Sequence, residues 1–256
     1  MNAGDQSAQE WKADRYAENA PFVPLLGMPV LELLNPQPGE RILDIGCGDG
    51  VLSQKIREAG ATVVGVDGSP DMVAAARQHG IDARHLDASA LAFEGEFDAA
   101  FSNAALHWMK RDPDAVLKGV RHALRPVGRF GGEFGGHGCV AAIMVALLAV
   151  LRQHGIQDAA SLTPWYFPTA GEYQAKLENA GFRVDSIELF PRPTILPTDI
   201  RGWLETFAGP FFQVLPQQER ATAADQVVDL LRPALCDAEG LWTVDYVRLR
   251  FLARAR

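Results

Sequence analysis

Cysteine is scarce and badly placed for cross-linking. The 256 residues contain three cysteines, Cys47, Cys139 and Cys236, odd in number and far apart. That pattern is no disulfide framework, and it lacks the short ligand spacings of structural zinc, so no metal is expected. Long apolar runs are also missing. The longest, Cys139 to Leu151, has thirteen residues, whereas a membrane-spanning helix needs about 20. Met1 to Glu10 is polar and has no apolar centre, so no secretory signal is expected there. Positive charge is in deficit, with 24 Lys and Arg against 32 Asp and Glu and a net charge of −8. A nucleic-acid surface normally shows a basic stripe, so no nucleic acid is expected as partner, and the short apolar runs give no reason to expect a membrane. The expectation is a soluble cytoplasmic protein. There is no internal repeat and no low-complexity tract.

What the chain does have is the stretch Arg41-Ile42-Leu43-Asp44-Ile45-Gly46-Cys47-Gly48-Asp49-Gly50. It reads as a buried strand running straight into a glycine-rich turn, with helical character from Val51 to Ala59. Glycines at alternate positions give the backbone conformations closed to other residues and let a ligand approach the main chain. The free N–H groups and positive dipole end of the following helix suit an anionic group. The spacing narrows the ligand. A dinucleotide fingerprint needs a glycine at its sixth position, and here that position is Val51. A phosphate-binding P-loop ends in Gly-Lys-Ser/Thr, which is absent. Asp44, just before the turn, disfavours a pyrophosphate and favours a ligand carrying an ammonium group. Cys47, inside the turn, reads as a small residue in a tight space.

Strands and helices alternate from Arg41 to Phe134. Ala61 to Val66 is an apolar β-branched run ending at Asp67; Asp71 to His79 is helical; Ile81 to Leu86, Glu96 to Ser102 and Arg129 to Phe134 are further strands; Pro113 to Leu124 is an amphipathic helix. Near-continuous apolar strands alternating with helices mean a parallel sheet covered on both faces. Before it, Trp11 to Asn19 and Gly27 to Leu34 read as helices interrupted at Pro21-Phe22-Val23-Pro24. After it come an apolar helix from Val140 to His154, a helix from Thr169 to Ala180, a sixth strand from Arg183 to Phe190, helices around Asp199 to Phe207 and Pro216 to Pro233, and a final strand within Trp242 to Ala253. The apolar helix can support contact between two copies, a homodimer.

Five pieces in order carry a resemblance: Leu-Asp-Ile-Gly-Cys-Gly-Asp-Gly, Val-Gly-Val-Asp-Gly-Ser-Pro-Asp-Met, His-Leu-Asp-Ala, Phe-Asp-Ala-Ala-Phe-Ser-Asn-Ala-Ala-Leu-His-Trp and Leu-Arg-Pro-Val-Gly-Arg-Phe. From Trp11 to Phe190 the chain resembles the class I S-adenosylmethionine-dependent methyltransferases. The nearest likeness is to small-molecule types such as the trans-aconitate and malonyl carrier-protein methyltransferases. The departure is Val127, where that family usually has glycine. The resemblance implies an α/β fold, a Rossmann-like, doubly wound, seven-stranded and mostly parallel sheet with N-terminal helices and a helical cap. It also implies a closing hairpin of strands six and seven. The segments then divide as an N-terminal lid (1–40), a cofactor-binding core (41–134), a helical insertion or cap (135–182) and C-terminal strands and helices completing the sheet and substrate pocket (183–256).

Carried over position by position, Gly46, Gly48 and Gly50 pass beneath the methionine and ribose parts of S-adenosylmethionine or its product S-adenosylhomocysteine. Asp44 sits near the amino-acid end. Asp67 holds the ribose hydroxyls, and an acid at the end of the second strand is where such folds grip a ribose. Gly68 and Met72 border the adenine, Asp87 accepts from the adenine amino group, the Ala88 N–H meets a ring nitrogen, and the Asn103 carbonyl faces the ammonium or methyl end. Tyr16 and Trp11 can close over the ligands as a lid. Each acid also reads as a helix cap or solvated turn, and Met72 as core.

On the substrate side, His107-Trp108 falls at the carboxyl edge of the sheet, where such folds bind ligands. His107 reads as a catalytic base, a hydrogen-bond donor to substrate, or a structural histidine. Glu133 and His137, flanking the end of strand five, form a second candidate pair. Trp165-Tyr166-Phe167 and Trp203 with Phe207 read either as core or as the lining of a pocket for an apolar or aromatic substrate. A carboxylate nucleophile needs no base; an alcohol, phenol or carbon acid does. The expectation is therefore a methyltransferase acting on a small molecule, at an oxygen of a carboxylate or hydroxyl. The alternative is a cofactor-binding regulatory protein that activates a partner without methyl transfer. A nicotinamide oxidoreductase is disfavoured by Val51. Nucleic-acid methylation is disfavoured by charge and by Asn103-Ala104-Ala105-Leu106, where an Asn/Asp-Pro-Pro-Tyr/Phe segment would stand.

Overall fold

The structure is a computed structural model that describes residues 18–19 and 22–256. Trp11 and Tyr16, and with them the expected lid contacts, lie outside the described residues. The chain folds into two compact units. One comprises Phe22–His137, Trp165–Phe190 and Arg248–Arg256; the other holds Gly138–Pro164 and Pro191–Val247.

The first unit is built on a seven-stranded sheet. Its strands are β1 (Arg41–Ile45), β2 (Thr62–Asp67), β3 (Asp82–His85), β4 (Phe97–Asn103), β5 (Leu124–Gly135), β6 (Phe182–Pro191) and β9 (Val247–Ala255), in the order β3-β2-β1-β4-β5-β9-β6. Pairs β1–β2, β1–β4, β2–β3 and β4–β5 are parallel, and β9 runs antiparallel to β5. Alternation along β1 shows why both faces are covered. Leu43 and Ile45 join the cluster containing Val116, Leu117 and Val120 of α5 (Pro113–Ala123) and Tyr173 and Leu177 of α7 (Ala170–Asn179). Ile42 joins the opposite cluster, with Val30, Leu31 and Leu34 of α2 (Met28–Leu34) and Leu52 and Ile56 of α3 (Val51–Glu58). Period-two alternation thus puts apolar residues on both faces of a strand buried on both. The chain steps outward from β1 to β3, then returns beside β1 as β4. That reversal opens a crevice at the carboxyl ends of β1 and β4, where ligands bind in doubly wound sheets.

Several elements differ from the sequence expectation. Phe22–Leu26 is a helix, α1, because Pro24 falls within its first turn, where a missing N–H costs nothing. Arg129 then fastens α2 to the sheet: its guanidinium donates to the Leu34 and Asn35 carbonyls and pairs with Glu40. β6 and β9 are not joined as a hairpin. The segment between them builds the second unit, with the small β7–β8 pair (Thr194–Ile195 and Thr243–Val244) and helices α8 (Ile200–Phe207), α9 (Gly209–Gln213) and α10 (Gln217–Leu235). The run expected as one final strand is thereby split between β8 and β9. α6 (Ala141–Gln153), the apolar helix, packs on α10 in this unit.

β5 starts at Leu124, five residues before its expected start, and a register shift against β4 absorbs the turn that the sequence suggested. Val127 sits in that irregularity at φ 60° and is 78% exposed. A β-branched residue in the left-handed region is strained by about 1–2 kcal/mol. Val127→Gly removes the strain but adds freedom to the unfolded chain. We expect a net gain of about 0.5–1 kcal/mol in urea denaturation with cofactor affinity unchanged; a loss of stability would show that the valine side chain is held by its surroundings.

Candidate active site

The glycine turn between β1 and α3 places its three glycines at φ 70°, 55° and 84° for Gly46, Gly48 and Gly50. Their surroundings differ. A Cβ on Gly46 would stand 2.2 Å from the Cβ of Ala105, and one on Gly50 would stand 3.1 Å from Ala76 and Ile81. A Cβ on Gly48 would meet nothing within 4 Å, and the same holds for Gly68 after β2. The flanking glycines therefore let the turn pack, while Gly48 and Gly68 present bare backbone to open space.

Asp67 braces this turn. Its Oδ2 accepts from the Gly48 N–H at 3.0 Å and its Oδ1 from the Ser69 N–H at 2.8 Å. Burial raises its pKa, and the two amide bonds oppose the rise. Each oxygen keeps a lone pair for a further donor. Asp44 is 2% exposed and accepts from the Ser53 hydroxyl at 2.5 Å. Burial pushes its pKa up to about 7, against the hydrogen bond from Ser53. The Ser53 partner was not read from the sequence, although its position in the first turn of α3 was available. Burial raises the pKa of the Cys47 thiol, and its Sγ stands against Gly65, which fits the reading of a small residue in a tight space.

Met72 is buried, its N–H donating to the Ser69 hydroxyl that caps α4 (Pro70–Gln78). Asp87 caps the turn of 3-10 helix at Ala88–Ala90, accepting from Ser89, and also pairs with Arg111. Its pKa is lowered chiefly by the bond from the Ser89 side chain. Asp87 has the cap role that the sequence allowed, and Ala88 beside it is buried. Asn103 ends β4 with its side chain against Gly27, where a Cβ would lie 2.8 Å from Nδ2. The α1–α2 junction thus reaches the carboxyl end of β4.

His107 lies in a 3-10 turn just past β4 and is 8% exposed. Its Nδ1 accepts from the Gly135 N–H at 3.3 Å. Burial, with the charge of Arg248 adding to it, holds its pKa well below the usual histidine value. With Nδ1 accepting, a neutral ring carries its proton on Nε2, which leaves that nitrogen as a donor. Residues 165–167 come to the same place. His107 lies 5.3 Å from the Trp108 ring and 5.8 Å from Phe167; Trp165 stacks on Phe167 at 5.7 Å and meets Trp108 at 5.8 Å. The Tyr166 N–H donates to the His107 carbonyl at 2.8 Å.

Glu133 and His137 do not form an acid–base pair. Glu133 is fully buried and ion-paired with both Arg248 and Arg250 of β9, and His137 is exposed. Neither arginine was singled out in the sequence, because strand β9 follows a long insertion and its alternation gives no sign of the partner strand. Trp203 is core of the second unit, with its ring tilted against Phe207 at 5.2 Å and its indole N–H donating to the Tyr246 hydroxyl at 2.6 Å. Among the described residues no group of three His, Cys, Asp or Glu is placed to hold a metal, and no helix is long and apolar enough to cross a membrane.

A methyltransferase-domain family model matches residues 42–128. An uncharacterised methyltransferase of Schizosaccharomyces pombe is 39% identical over 254 residues, spanning 95% of this chain and 97% of that protein. The chain belongs to the S-adenosylmethionine-dependent methyltransferases. Within the family, the trans-aconitate 2-methyltransferase of Mycolicibacterium gilvum is 40% identical over 97 residues, which is 36% of this chain and 38% of that enzyme. Among solved structures, a Bacillus halodurans protein described as a methyltransferase superposes with a TM-score of 0.63 at 14% identity, covering 89% of this chain and 97% of its own. A Haemonchus contortus phosphoethanolamine N-methyltransferase solved with S-adenosylmethionine superposes at 0.55 and 22% identity, over 91% of this chain and 52% of its own. At those identities the likeness shows the shared fold. The methyl donor of the methyltransferase is S-adenosylmethionine. The bare backbone at Gly48 and Gly68, the doubly anchored Asp67 and the buried Asp44 fit a ligand with a ribose and an ammonium group.

Proposed function

We propose that this methyltransferase esterifies a carboxylate oxygen of a small-molecule acid. The observation that carries the reading is the state of His107. Its one lone pair is engaged by the Gly135 N–H, and burial keeps it neutral. The candidate base beside the aromatic cluster therefore cannot take a proton from an alcohol, phenol or ammonium. A carboxylate is already a nucleophile at neutral pH and loses no proton. S-adenosylmethionine would supply an activated methyl group there, which a carboxylate oxygen would take as the carbon–sulfur bond broke and its electron pair stayed on sulfur. The protein's own work is to hold the acid in line and exclude water, and the rings of Trp108, Trp165 and Phe167 supply the dry wall.

In this reading Asp67 takes both ribose hydroxyls, Gly46, Gly48 and Gly50 carry the backbone beneath the ligand, Gly68 and Met72 flank the adenine with Asp87 and Ala88 at its edge, and Asp44 and Asn103 face the amino-acid end. The partial likeness to a trans-aconitate methyltransferase supports an acid as acceptor.

The test is transfer of labelled methyl to a panel of carboxylic acids, phenols and amines. Acids are expected to be methylated, with kcat at saturating cofactor flat from about pH 6 to 9 because no group must lose a proton. Labelled phenols or amines with unlabelled acids would sink the proposal, as would a rate that climbs tenfold per pH unit.

Asp44 makes a separate prediction. Its folded pKa, about 7, lies above the value of 3.8 for a free aspartate. The folded state therefore holds a proton that the unfolded chain has given up. Its stabilising effect is full below pH about 4 and is lost as the pH rises through about 7. Asp44→Asn keeps an acceptor for Ser53 and removes this loss. The variant should gain stability relative to the parent between pH 4.5 and 7.5, by at most roughly 4 kcal/mol, in urea denaturation of the ligand-free protein. A ligand ammonium beside Asp44 would favour its anion, so cofactor binding at pH 6.5 should release protons. Calorimetry in buffers of different ionisation enthalpy reads that release, which should vanish in Asp44→Asn.

A further inference from the structure

The β5–β9 pair carries a buried cation that the methyl-transfer chemistry above does not use. The antiparallel register sets Glu133 opposite Arg250 and Gly135 opposite Arg248. Side chains two residues apart share a face, so Arg248, Arg250 and Glu133 meet on one side of the sheet. Arg250 is well supplied: two of its nitrogens reach Glu133 Oε2 at 2.8 and 2.7 Å, Glu188 lies 3.7 Å from its Nη1, and its guanidinium covers the Phe190 ring. Arg248 is not. It is 8% exposed, and its Nε makes one long contact, 3.3 Å, to Glu133 Oε1. Among the described residues nothing accepts from its two terminal amino groups.

Gly135 ties this arginine to the site. Its N–H is the donor to His107 Nδ1, and it is also the register partner of Arg248. The positive charge of Arg248 reaches the His107 ring strongly enough to oppose its protonation. The Nε2–H of His107 likewise has no acceptor among the described residues. Only one described side-chain polar atom is both sealed from solvent and without a partner, Asp245 Oδ1 in the second unit. The free donors of Arg248 and His107 are therefore not sealed from solvent. A largely desolvated guanidinium with free donors is costly unless an anion completes it, and its planar fork matches a carboxylate in geometry.

We propose that Arg248, assisted by His107 Nε2–H, anchors a carboxylate of the methyl acceptor against the Trp108–Trp165–Phe167 wall, and so selects unsaturated or aromatic acids over their neutral analogues. The inference rests on the carboxylate reading of the reaction and adds to it the residue that sets acceptor specificity. Glu133 keeps Arg248 oriented without neutralising it fully, since the same carboxylate also serves Arg250.

The experiment titrates the protein, saturated with S-adenosylhomocysteine, with trans-aconitate, cinnamate and cinnamamide by calorimetry, and measures S-adenosylhomocysteine affinity separately. At least one of the two acids should bind tenfold or more tighter than the amide. Arg248→Gln should weaken that acid at least thirtyfold, with S-adenosylhomocysteine affinity changed less than threefold. His107→Gln, which keeps a donor, should weaken it less than tenfold. If Arg248→Gln yields no folded protein able to bind S-adenosylhomocysteine, Arg248→Lys replaces it; the point charge without the planar fork should still cost about tenfold. Acid binding unchanged in the variant would overturn the anchor while leaving carboxylate methylation standing. Acids binding no better than the amide would overturn the anchor outright, and methyl transfer confined to phenols or amines would remove the reaction it rests on.

Discussion

Gly46→Ala should destabilise the protein by about 3 kcal/mol or more, whereas Gly48→Ala, two residues along the same turn, should cost about 1 kcal/mol and yet abolish cofactor binding. Both glycines have positive φ, 70° and 55°, so alanine is strained at either. The difference lies in what the new methyl group meets. At position 46 it falls 2.2 Å from the Ala105 Cβ, where carbons in contact normally stand about 3.5–4 Å apart. Ala105 is itself buried at the start of the 3-10 turn carrying His107, so relief requires moving the β4 loop away from the β1 loop. At position 48 the methyl meets no protein atom within 4 Å, and it occupies the space into which the backbone presents itself. Thermal unfolding and calorimetric titration of both variants separate the two effects. A Gly48→Ala protein that binds S-adenosylmethionine within threefold of the parent would show that the ligand does not approach there.

Asp67→Ala should weaken S-adenosylmethionine by more than about 100-fold, the equivalent of two lost charge-assisted hydrogen bonds. The structure adds a second consequence. The same carboxylate accepts from the Gly48 and Ser69 N–H groups, so its loss leaves both amides without their acceptor and loosens the turn. Asp67→Asn should be almost as damaging to affinity. The amide of asparagine can satisfy only one of the two N–H donors, and its NH2 would face the other, donor against donor. The two variants should therefore both lose affinity and should both lose stability in the absence of ligand. Full stability of ligand-free Asp67→Ala would mean that the turn holds its shape without the carboxylate. Retained affinity in either variant would remove Asp67 from the ribose site.

The sequence determined more of the glycine turn and its supporting acids than of the surroundings of His107, for a physical reason. The features of the turn are local. A strand, a turn with φ values that only glycine adopts easily, and an acid one strand later are all written within residues 41–67, and backbone sterics make such patterns readable in one dimension. The sheet of the core followed from apolar periodicity in the same way. The cap role of Asp87 was also legible, because capping acts over two or three residues.

Tertiary structure decided everything that depends on long-range pairing. Helix α1 formed where a proline pair suggested a break, and the β6–β9 closure was interrupted by the second unit, since strand pairing carries no local signature. His107 read as a base, a donor or a structural histidine, and only the fold brings the Gly135 N–H, 28 residues away, to its Nδ1. Glu133 and His137 looked like partners because they are near in sequence. Strand β9, more than a hundred residues later, brings Arg248 and Arg250 to Glu133 instead. The charge state of a buried group depends on its neighbours in space, so the surroundings of His107 and Glu133 could be read only after the sheet had assembled them.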